Sequence, residues 1–182
     1  PPGESNESDQ AQDENGHGTH VAGIIAGRGQ TGPTGLAPAA GLVAVRVLGR
    51  DGTGYTSDVV AGIDWVVANQ ASLEVKVMNL SLGGGRYEGV CDEADANTML
   101  YAAAVDSARQ AGITVFAAAG NQGYTNELMA PACISGVLAV GNVYSAEFGS
   151  FSWPTCMPPK SKWPTANCSS ERSTPSSYGA NY

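Results

Sequence analysis

The fold of this chain is decided by one stretch, His17-Gly18-Thr19-His20-Val21-Ala22-Gly23-Ile24-Ile25-Ala26-Gly27. A polar, turn-forming run, Asp13-Glu14-Asn15-Gly16, comes directly before it. The apolar positions after the first histidine recur with helical spacing, so the pattern predicts a helix over residues 17–26. We therefore expect an imidazole at the start of a buried helix, with its ring free to face a cleft.

After this stretch, apolar runs of strand length alternate along the chain with segments of helical spacing. Residues 42–48 form an almost continuous apolar run, which is typical of a strand covered on both faces. A helical stripe begins after Thr56, and the cycle then repeats with strands predicted over 75–80, 113–119 and 137–140 and a helix over 95–110. This alternation predicts an α/β fold, a parallel sheet with helices packed on its faces.

Length and composition fit one domain over residues 1–182. The chain is 42% hydrophobic and has 24 glycines, and its 14% of charged residues is too few for a disordered chain. Residues 1–14 are acidic and polar, and we expect a surface segment there. From 153 to 175 the composition shifts to Pro, Ser, Lys and Cys, which predicts an insertion loop.

The overall charge narrows the range of partners. A formal net charge of −8 argues against a nucleic-acid partner, because the chain lacks the excess of basic side chains needed to neutralise a row of phosphates. No apolar run approaches the roughly 18 residues of a membrane span, so we expect no membrane partner. The chain opens Pro-Pro-Gly-Glu-Ser, which does not resemble a signal peptide.

The four cysteines allow three disulfide pairings. We favour Cys156 with Cys168, since both lie in one polar segment, and Cys91 with Cys133; the other pairings stay open. A zinc site is disfavoured because C-x-x-C is absent and the chain has two histidines. Disulfides are associated with an extracellular location.

Two more segments follow the histidine stretch in chain order, Asn79-Leu80-Ser81-Leu82-Gly83-Gly84 and Ala117-Ala118-Ala119-Gly120-Asn121. Together with H-G-T-H-V-A-G they resemble the subtilisin-like serine peptidases, and the resemblance runs from about residue 13 to 141. It implies a three-layer α/β fold with helices on both faces of the sheet. It also implies a secreted, monomeric endopeptidase that acts on protein or peptide substrates.

The resemblance assigns chemistry to two side chains. His17 matches the family's catalytic histidine, the base that takes the nucleophile's proton; the alternative is a solvent-facing histidine on an ordinary helix. Asn121 matches the family's oxyanion asparagine, although Gly-Asn after a strand is also an ordinary turn signal. His20 has no third ligand with which to hold a metal, so we interpret it as structural.

The same resemblance implies a peptide-binding cleft lined by backbone and small side chains. One wall of the specificity pocket comes from Ser81, Leu82, Gly83 and Gly84, and the opposite wall from Ala118, Ala119 and Gly120. Gly52, Thr53 and Gly54 resemble the family's second substrate-pairing strand. Small residues on both walls predict a roomy, apolar pocket; the alternative for the glycines is plain loop geometry. The G-x-x-G-x-G spacing of 49–54 does not fit a dinucleotide loop.

Two parts of the family's machinery are not recognisable here, an apolar strand ending Asp-Ser/Thr-Gly before the histidine and a later Gly-Thr-Ser segment with the nucleophile. The sequence is therefore interpreted as a central piece of a subtilase, incomplete at both ends, which alone is predicted to be inactive. A non-catalytic peptide-binding relative is the alternative. No cofactor or metal ligand is predicted. The family's common calcium loop is not recognisable in residues 28–33, which leaves structural calcium open.

Overall fold

The computed structural model describes residues 12–30, 32–123 and 125–142, and the backbone of 153–154 and 170–171. Its contacts divide the chain into two units, Pro1–Val140 and Gly141–Tyr182. Over its described residues the first unit contains three helices, α1 (His17–Ala26), α2 (Thr56–Leu73) and α3 (Ala96–Gln110), and five strands, β1 (Val77–Leu80), β2 (Gly84–Glu88), β3 (Thr114–Ala118), β4 (Glu127–Ala130) and β5 (Leu138–Val140).

The central feature of the first unit is a parallel sheet in the order β1-β3-β5. Leu80 pairs with Ala117, and Ala118 pairs with Val140, so the carboxyl ends of β1 and β3 lie side by side. Strands β2 and β4 form a separate antiparallel pair in which Gly84 lies opposite Ala130. The predicted α/β class with a parallel sheet is confirmed.

The core lies where α2, α3 and one face of the sheet meet. Alternate residues of β1 and β3 are buried, as expected for strands whose side chains alternate between two faces. Each large apolar side chain buried here contributes about 1.5–3 kcal/mol relative to exposure. The buried side chains are Val59, Ile63 and Val66 of α2, Tyr101, Ala104, Val105 and Ala108 of α3, and Met78, Leu80, Val115 and Ala117 of the sheet.

Helix α3 begins with a capping box. The Asp95 carboxylate accepts hydrogen bonds from the backbone N–H groups of Asn97 and Thr98, and the Thr98 hydroxyl accepts one from the Asp95 N–H. These bonds satisfy donors that the first turn of a helix leaves without partners. The side chain of Asp95 also accepts from the Tyr87 hydroxyl at 2.6 Å, which ties β2 to the start of α3.

Helix α1 has the bounds that the sequence predicts, but the expectation that it is buried is wrong. None of its residues is buried, and Ile24 is 55% exposed. The apolar spacing correctly indicated a helix. Burial additionally needs an element packed over the apolar face, and none of the described helices or strands covers it.

The strand predicted over residues 42–48 does not form. The segment belongs to no ladder, and Leu42 and Val43 are 53% and 44% exposed. The side chains of Val45 and Val47 instead lie on α2 at Gly62, where an added Cβ would come within 3.2 Å and 2.6 Å of them. An apolar run reports a tendency toward burial, but a strand also requires a hydrogen-bonding neighbour, and among the described residues this segment has none.

A disulfide joins Cys91 to Cys133 across 42 residues, the pairing favoured from the sequence. Both cysteines are buried, and the Cys91 N–H donates to the Cys133 carbonyl at 3.0 Å. Next to it, the Asp92 carboxylate accepts from the backbone N–H and the hydroxyl of Ser135. These contacts fix the chain on the amino side of α3 to the segment that follows β4.

The described part of the second unit consists of residues 141–142 and one antiparallel pair, β6 (Trp153–Pro154) and β7 (Ser170–Glu171). Both strands lie within the predicted insertion loop 153–175. Cys156 and Cys168 lie outside the described residues, as does most of the predicted surface segment 1–14. Among the described helices, none combines the length and the apolar character needed to cross a bilayer.

Candidate active site

The candidate site lies at the carboxyl ends of the parallel strands, where α/β folds gather their ligand-binding loops. The segment 81–84 continues directly from β1, and the segment 118–121 includes the end of β3 and the residues after it. Because β1 and β3 are neighbours in the sheet, the two segments predicted to form opposite pocket walls leave the sheet side by side.

Met129 of β4 lies between these two walls. A Cβ added to Gly83 would come within 3.1 Å of the Met129 Cβ, and one added to Gly120 within 2.9 Å of its sulfur. The backbone N–H of Met129 also donates to the Ala119 carbonyl at 3.1 Å. Met129 was not predicted as a site residue, because nothing in the local sequence pattern links it to either wall. The space between the walls is therefore narrower than their small residues alone imply.

The ring of His17 contacts the first of these walls. Its Nε2 lies 2.8 Å from the carbonyl oxygen of Ser81, and the side chain is exposed. A carbonyl can only accept, so Nε2 carries the proton in this contact and Nδ1 is the basic nitrogen of a neutral ring. Serine-protease chemistry needs the opposite tautomer, with Nε2 as the proton acceptor. The ring must leave the Ser81 carbonyl before Nε2 can act as a base.

The carboxylate of Asp13 holds the backbone on both sides of His17 in place. Its two oxygens accept from the backbone N–H groups of Asn15, Gly16 and Thr19 and from the Thr19 hydroxyl, at 2.7–2.9 Å. The hydrogen bond from the Gly16 N–H, followed by those from Thr19, holds the pKa of Asp13 well below its usual range. Gly16 itself has φ = 94°, a conformation that favours glycine.

The loop with Gly52, Thr53 and Gly54 contacts the same segment. The Asn15 side-chain amide donates to the Arg50 carbonyl at 2.9 Å, which links the turn before α1 to the loop before α2. This loop forms no ladder with another strand among the described residues. The N–H groups of Gly52 and Thr53 and the carbonyl of Thr53 instead bond within the loop, to Gly49 and Asp51.

Asn121 follows β3 after Gly120, whose φ of 127° turns the chain away from the sheet. Its backbone N–H donates to the side-chain oxygen of Gln122 at 2.9 Å. The residue is exposed, and its side-chain amide donates to no described residue. This amide is therefore available to a ligand.

Contacts and close approaches connect several of the predicted site residues, and Asn121 is not among those connected. They run from the 49–54 loop through Asn15 to the start of α1, from His17 to Ser81, and from Gly83 through Met129 to Gly120. No group of three metal-binding side chains is assembled anywhere in the described ranges.

The subtilase family model matches residues 1–182, the whole chain. The chain belongs to the subtilase family.

Curated relatives share about two fifths of the aligned residues. An alkaline serine exoprotease A from Vibrio alginolyticus is 40% identical over 149 residues, which is 81% of this chain and 25% of that protein. An extracellular serine proteinase from Thermus sp. (strain Rt41A) is 42% identical over 143 residues, 78% of this chain and 31% of the relative. Subtilisin DY from Bacillus licheniformis is 41% identical over 73% of this chain and 45% of its own length. The subtilase chain thus spans between a quarter and about half of these relatives.

Solved structures agree with this assignment. Sphericase superposes with a TM-score of 0.64 at 28% identity, covering 94% of this chain and 47% of its own. The prenylagaramide maturation protease PagA gives 0.53 at 27% identity, over 72% of this chain and 44% of its own. The subtilisin-like fold predicted from the three sequence segments is confirmed.

Proposed function

We propose that the protein containing this subtilase chain is a serine endopeptidase, with His17 as its base and Asn121 as an oxyanion donor. The observation that carries the proposal is the contact of His17 with Ser81, which links the imidazole to the wall of the Gly83–Met129–Gly120 pocket. This contact supports the proposal because a base must lie near the peptide that it helps to hydrolyse, and the Ser81 segment is the wall expected to bind that peptide.

Different residues of this chain bind the peptide and transfer the proton. A peptide pairs with the backbone of 52–54 on one side and of 81–84 on the other, as the middle strand of three. Its side chain on the acyl side of the scissile bond enters the space beside Met129. His17 turns from the Ser81 carbonyl and receives the proton of a serine nucleophile through Nε2.

Asn121 acts on the charge that then forms. Attack on the peptide carbonyl turns its oxygen into an oxyanion, to which the Asn121 amide donates a hydrogen bond. The bond is stronger to the oxyanion than to the neutral carbonyl, so it lowers the barrier rather than only improving binding. The serine, and the aspartate that orients the histidine, are expected on segments matching the family's Gly-Thr-Ser and Asp-Ser/Thr-Gly patterns.

We further propose that the protein works outside the cell. The Cys91–Cys133 disulfide is chemistry that persists in oxidising compartments, and the Thermus relative is named as extracellular.

The test uses a serine-reactive phosphonate on the whole protein. We expect the reagent to label one serine in the unmodified protein and hydrolysis of casein to stop with labelling. His17→Ala should lower kcat by several powers of ten with little change in KM, because the base acts in the transition state. His20→Ala is the control and should retain most activity.

A non-catalytic peptide-binding protein is the other outcome of this test. That reading would be favoured if no serine is labelled and if His17→Ala has the same activity as the unmodified protein. It also requires that the protein still binds peptides. The isolated 182-residue chain is expected to hydrolyse no casein and to take no label, and labelling of any of its residues would contradict that expectation.

A further inference from the structure

One side-chain hydrogen bond connects the two segments to which the proposed function gives different tasks. The Asn15 amide donates from the turn that precedes His17 to the carbonyl of Arg50, 35 residues along the chain, at 2.9 Å. In the proposed function, the first segment positions the base and the second pairs with the peptide.

The Asn15 end of this bond is held in place by its own neighbours. The Asn15 backbone N–H donates to Asp13 at 2.9 Å, and the same carboxylate holds Gly16 and Thr19. A carboxylate that accepts several backbone N–H bonds is a strong acceptor, because charge-assisted hydrogen bonds are stronger than neutral ones. Movement of Asn15 is thereby transmitted to the first turn of α1, where His17 lies.

The Arg50 end belongs to a loop that is closed on itself. The Gly49 N–H donates to the Thr53 carbonyl at 2.8 Å, and the Gly52 N–H donates to the Gly49 carbonyl at 3.0 Å. The Asp51 carboxylate accepts from the N–H and the hydroxyl of Thr53. Residues 49–53 are therefore expected to move together when a peptide pairs with 52–54.

A second contact runs parallel to this bond but is weaker. Arg46 and Glu14 form an ion pair at 2.9 Å, and their side chains are 56% and 47% exposed. Ion pairs as exposed as this one contribute little, because water and salt screen the two charges. The Asn15–Arg50 bond is the more specific connection, because it is directed at a single backbone carbonyl.

We propose that Asn15 is a positioning residue that couples peptide pairing on the 49–54 loop to the placement of His17. This inference rests on the proposed function. A substrate long enough to pair with residues 52–54 should therefore have a higher kcat, and not only a higher affinity. Pairing of the peptide with the loop places His17 through the bond between Arg50 and Asn15.

The kinetic test compares two substrates in the whole protein. One is a peptide amide with four residues on the acyl side, which reaches residues 52–54, and the other is a blocked single-residue ester, which does not. With Asn15→Leu we expect kcat on the long peptide to fall about three- to tenfold, the value of one hydrogen bond, and kcat on the ester to change by less than about twofold.

A matched control removes a similar bond elsewhere. Asn69 in α2 also donates through its side-chain amide to a backbone carbonyl, that of Trp65, at 2.8 Å. Asn69→Leu should leave the ratio of the two kcat values unchanged. Asn15→Asp keeps the size of the side chain, removes the donor and should behave as Asn15→Leu does. Equal losses on both substrates would overturn the coupling, since they would show a local effect on His17 alone.

Amide hydrogen exchange tests the coupling without activity. Loss of the Asn15–Arg50 bond should speed exchange at His20, which donates to Gly16, and also at Gly49 and Gly52 in the other segment. Faster exchange in one segment only would overturn the proposal. If the unmodified protein proves inactive, the proposed function fails, and exchange still decides whether the two segments are coupled.

Discussion

At the residue scale, His17 shows how a single contact selects a tautomer of the imidazole ring. An imidazole next to a carbonyl must donate to it, so the contact with Ser81 places the proton on Nε2. Asn121 has the opposite situation, an exposed amide with no described acceptor. The tautomer of His17 and the unused donor of Asn121 both depend on which groups lie nearby. Neither can be known from the residue type alone.

Asn121→Leu tests the oxyanion assignment. The substitution removes the amide donor at similar size, and we expect kcat to fall by roughly 10²–10³, the typical cost of losing one oxyanion donor, with KM nearly unchanged. Asn126→Leu is the control, because that amide donates to Glu88 at 3.3 Å and has no part in the site. Equal effects on binding and on rate would contradict the assignment.

Met129→Ala tests the width of the specificity pocket. Shortening this side chain should open the space between Gly83 and Gly120. Hydrolysis after a large aromatic residue should then improve by about 10-fold relative to hydrolysis after alanine, since a few methylene groups in an apolar pocket are worth about 1–3 kcal/mol. Kinetics on a matched pair of peptides measure this ratio. Met99→Ala changes an exposed methionine of α3 and should leave the ratio as it is.

At the element scale, the start of α1 depends on one carboxylate. Asp13 accepts from the N–H groups of Asn15 and Gly16, just before the helix, and from that of Thr19 in the first turn, which the helix cannot satisfy internally. Because the pKa of Asp13 is lowered in the folded protein, its carboxylate stabilises the fold at pH values above the unfolded pKa of about 3.9. That contribution is lost as the pH falls below this value toward the folded pKa.

Asp13→Asn should therefore lower stability in a pH-dependent way. At pH 7 we expect its urea midpoint to lie below that of the unmodified protein. At pH 2.5 the difference should shrink, because Asp13 then binds a proton in the unfolded chain that folding must release. Asp64→Asn removes an exposed carboxylate of α2 and controls for charge alone. The role assigned to Asp13 is wrong if the difference between midpoints is as large at pH 2.5 as at pH 7.

At the scale of the whole molecule, the Cys91–Cys133 bond connects parts that the chain order separates. It closes a loop that includes β3, β4 and all of α3, so it constrains the unfolded chain over 42 residues. The pocket residue Met129 lies only four residues before Cys133. The disulfide thus holds the pocket segment near the helix that supports the sheet.

Breaking this disulfide should destabilise the fold. Cys91→Ala with Cys133→Ala is expected to lower the free energy of unfolding by about 2–4 kcal/mol, as for a loop of this length. Cys91→Ala alone should have nearly the same effect, since either change breaks the bond. Denaturant titration measures both. A single variant as stable as the unmodified protein would show that the bond does not contribute.

Much of the fold could be predicted because its signals are local. Helical spacing gave α1 its bounds, and alternating strand and helix patterns predicted the parallel sheet that β1, β3 and β5 form. The run 42–48 shows the limit of such signals. Its composition favours burial, but a strand needs a partner, and no local pattern reports whether one is present.

The sequence by itself determined the family and the parallel α/β class with its three helices, because motif spacing and periodicity are written along the chain. It did not indicate the antiparallel pair of β2 and β4. Only the tertiary structure decided that Met129 fills the space between Gly83 and Gly120, that His17 donates to Ser81, and that Asn15 joins Arg50. Each of these contacts joins residues at least 9 positions apart, and most join residues more than 30 apart. Contacts between residues so far apart in sequence depend on the tertiary fold of the chain, and a local sequence pattern carries no information about such contacts.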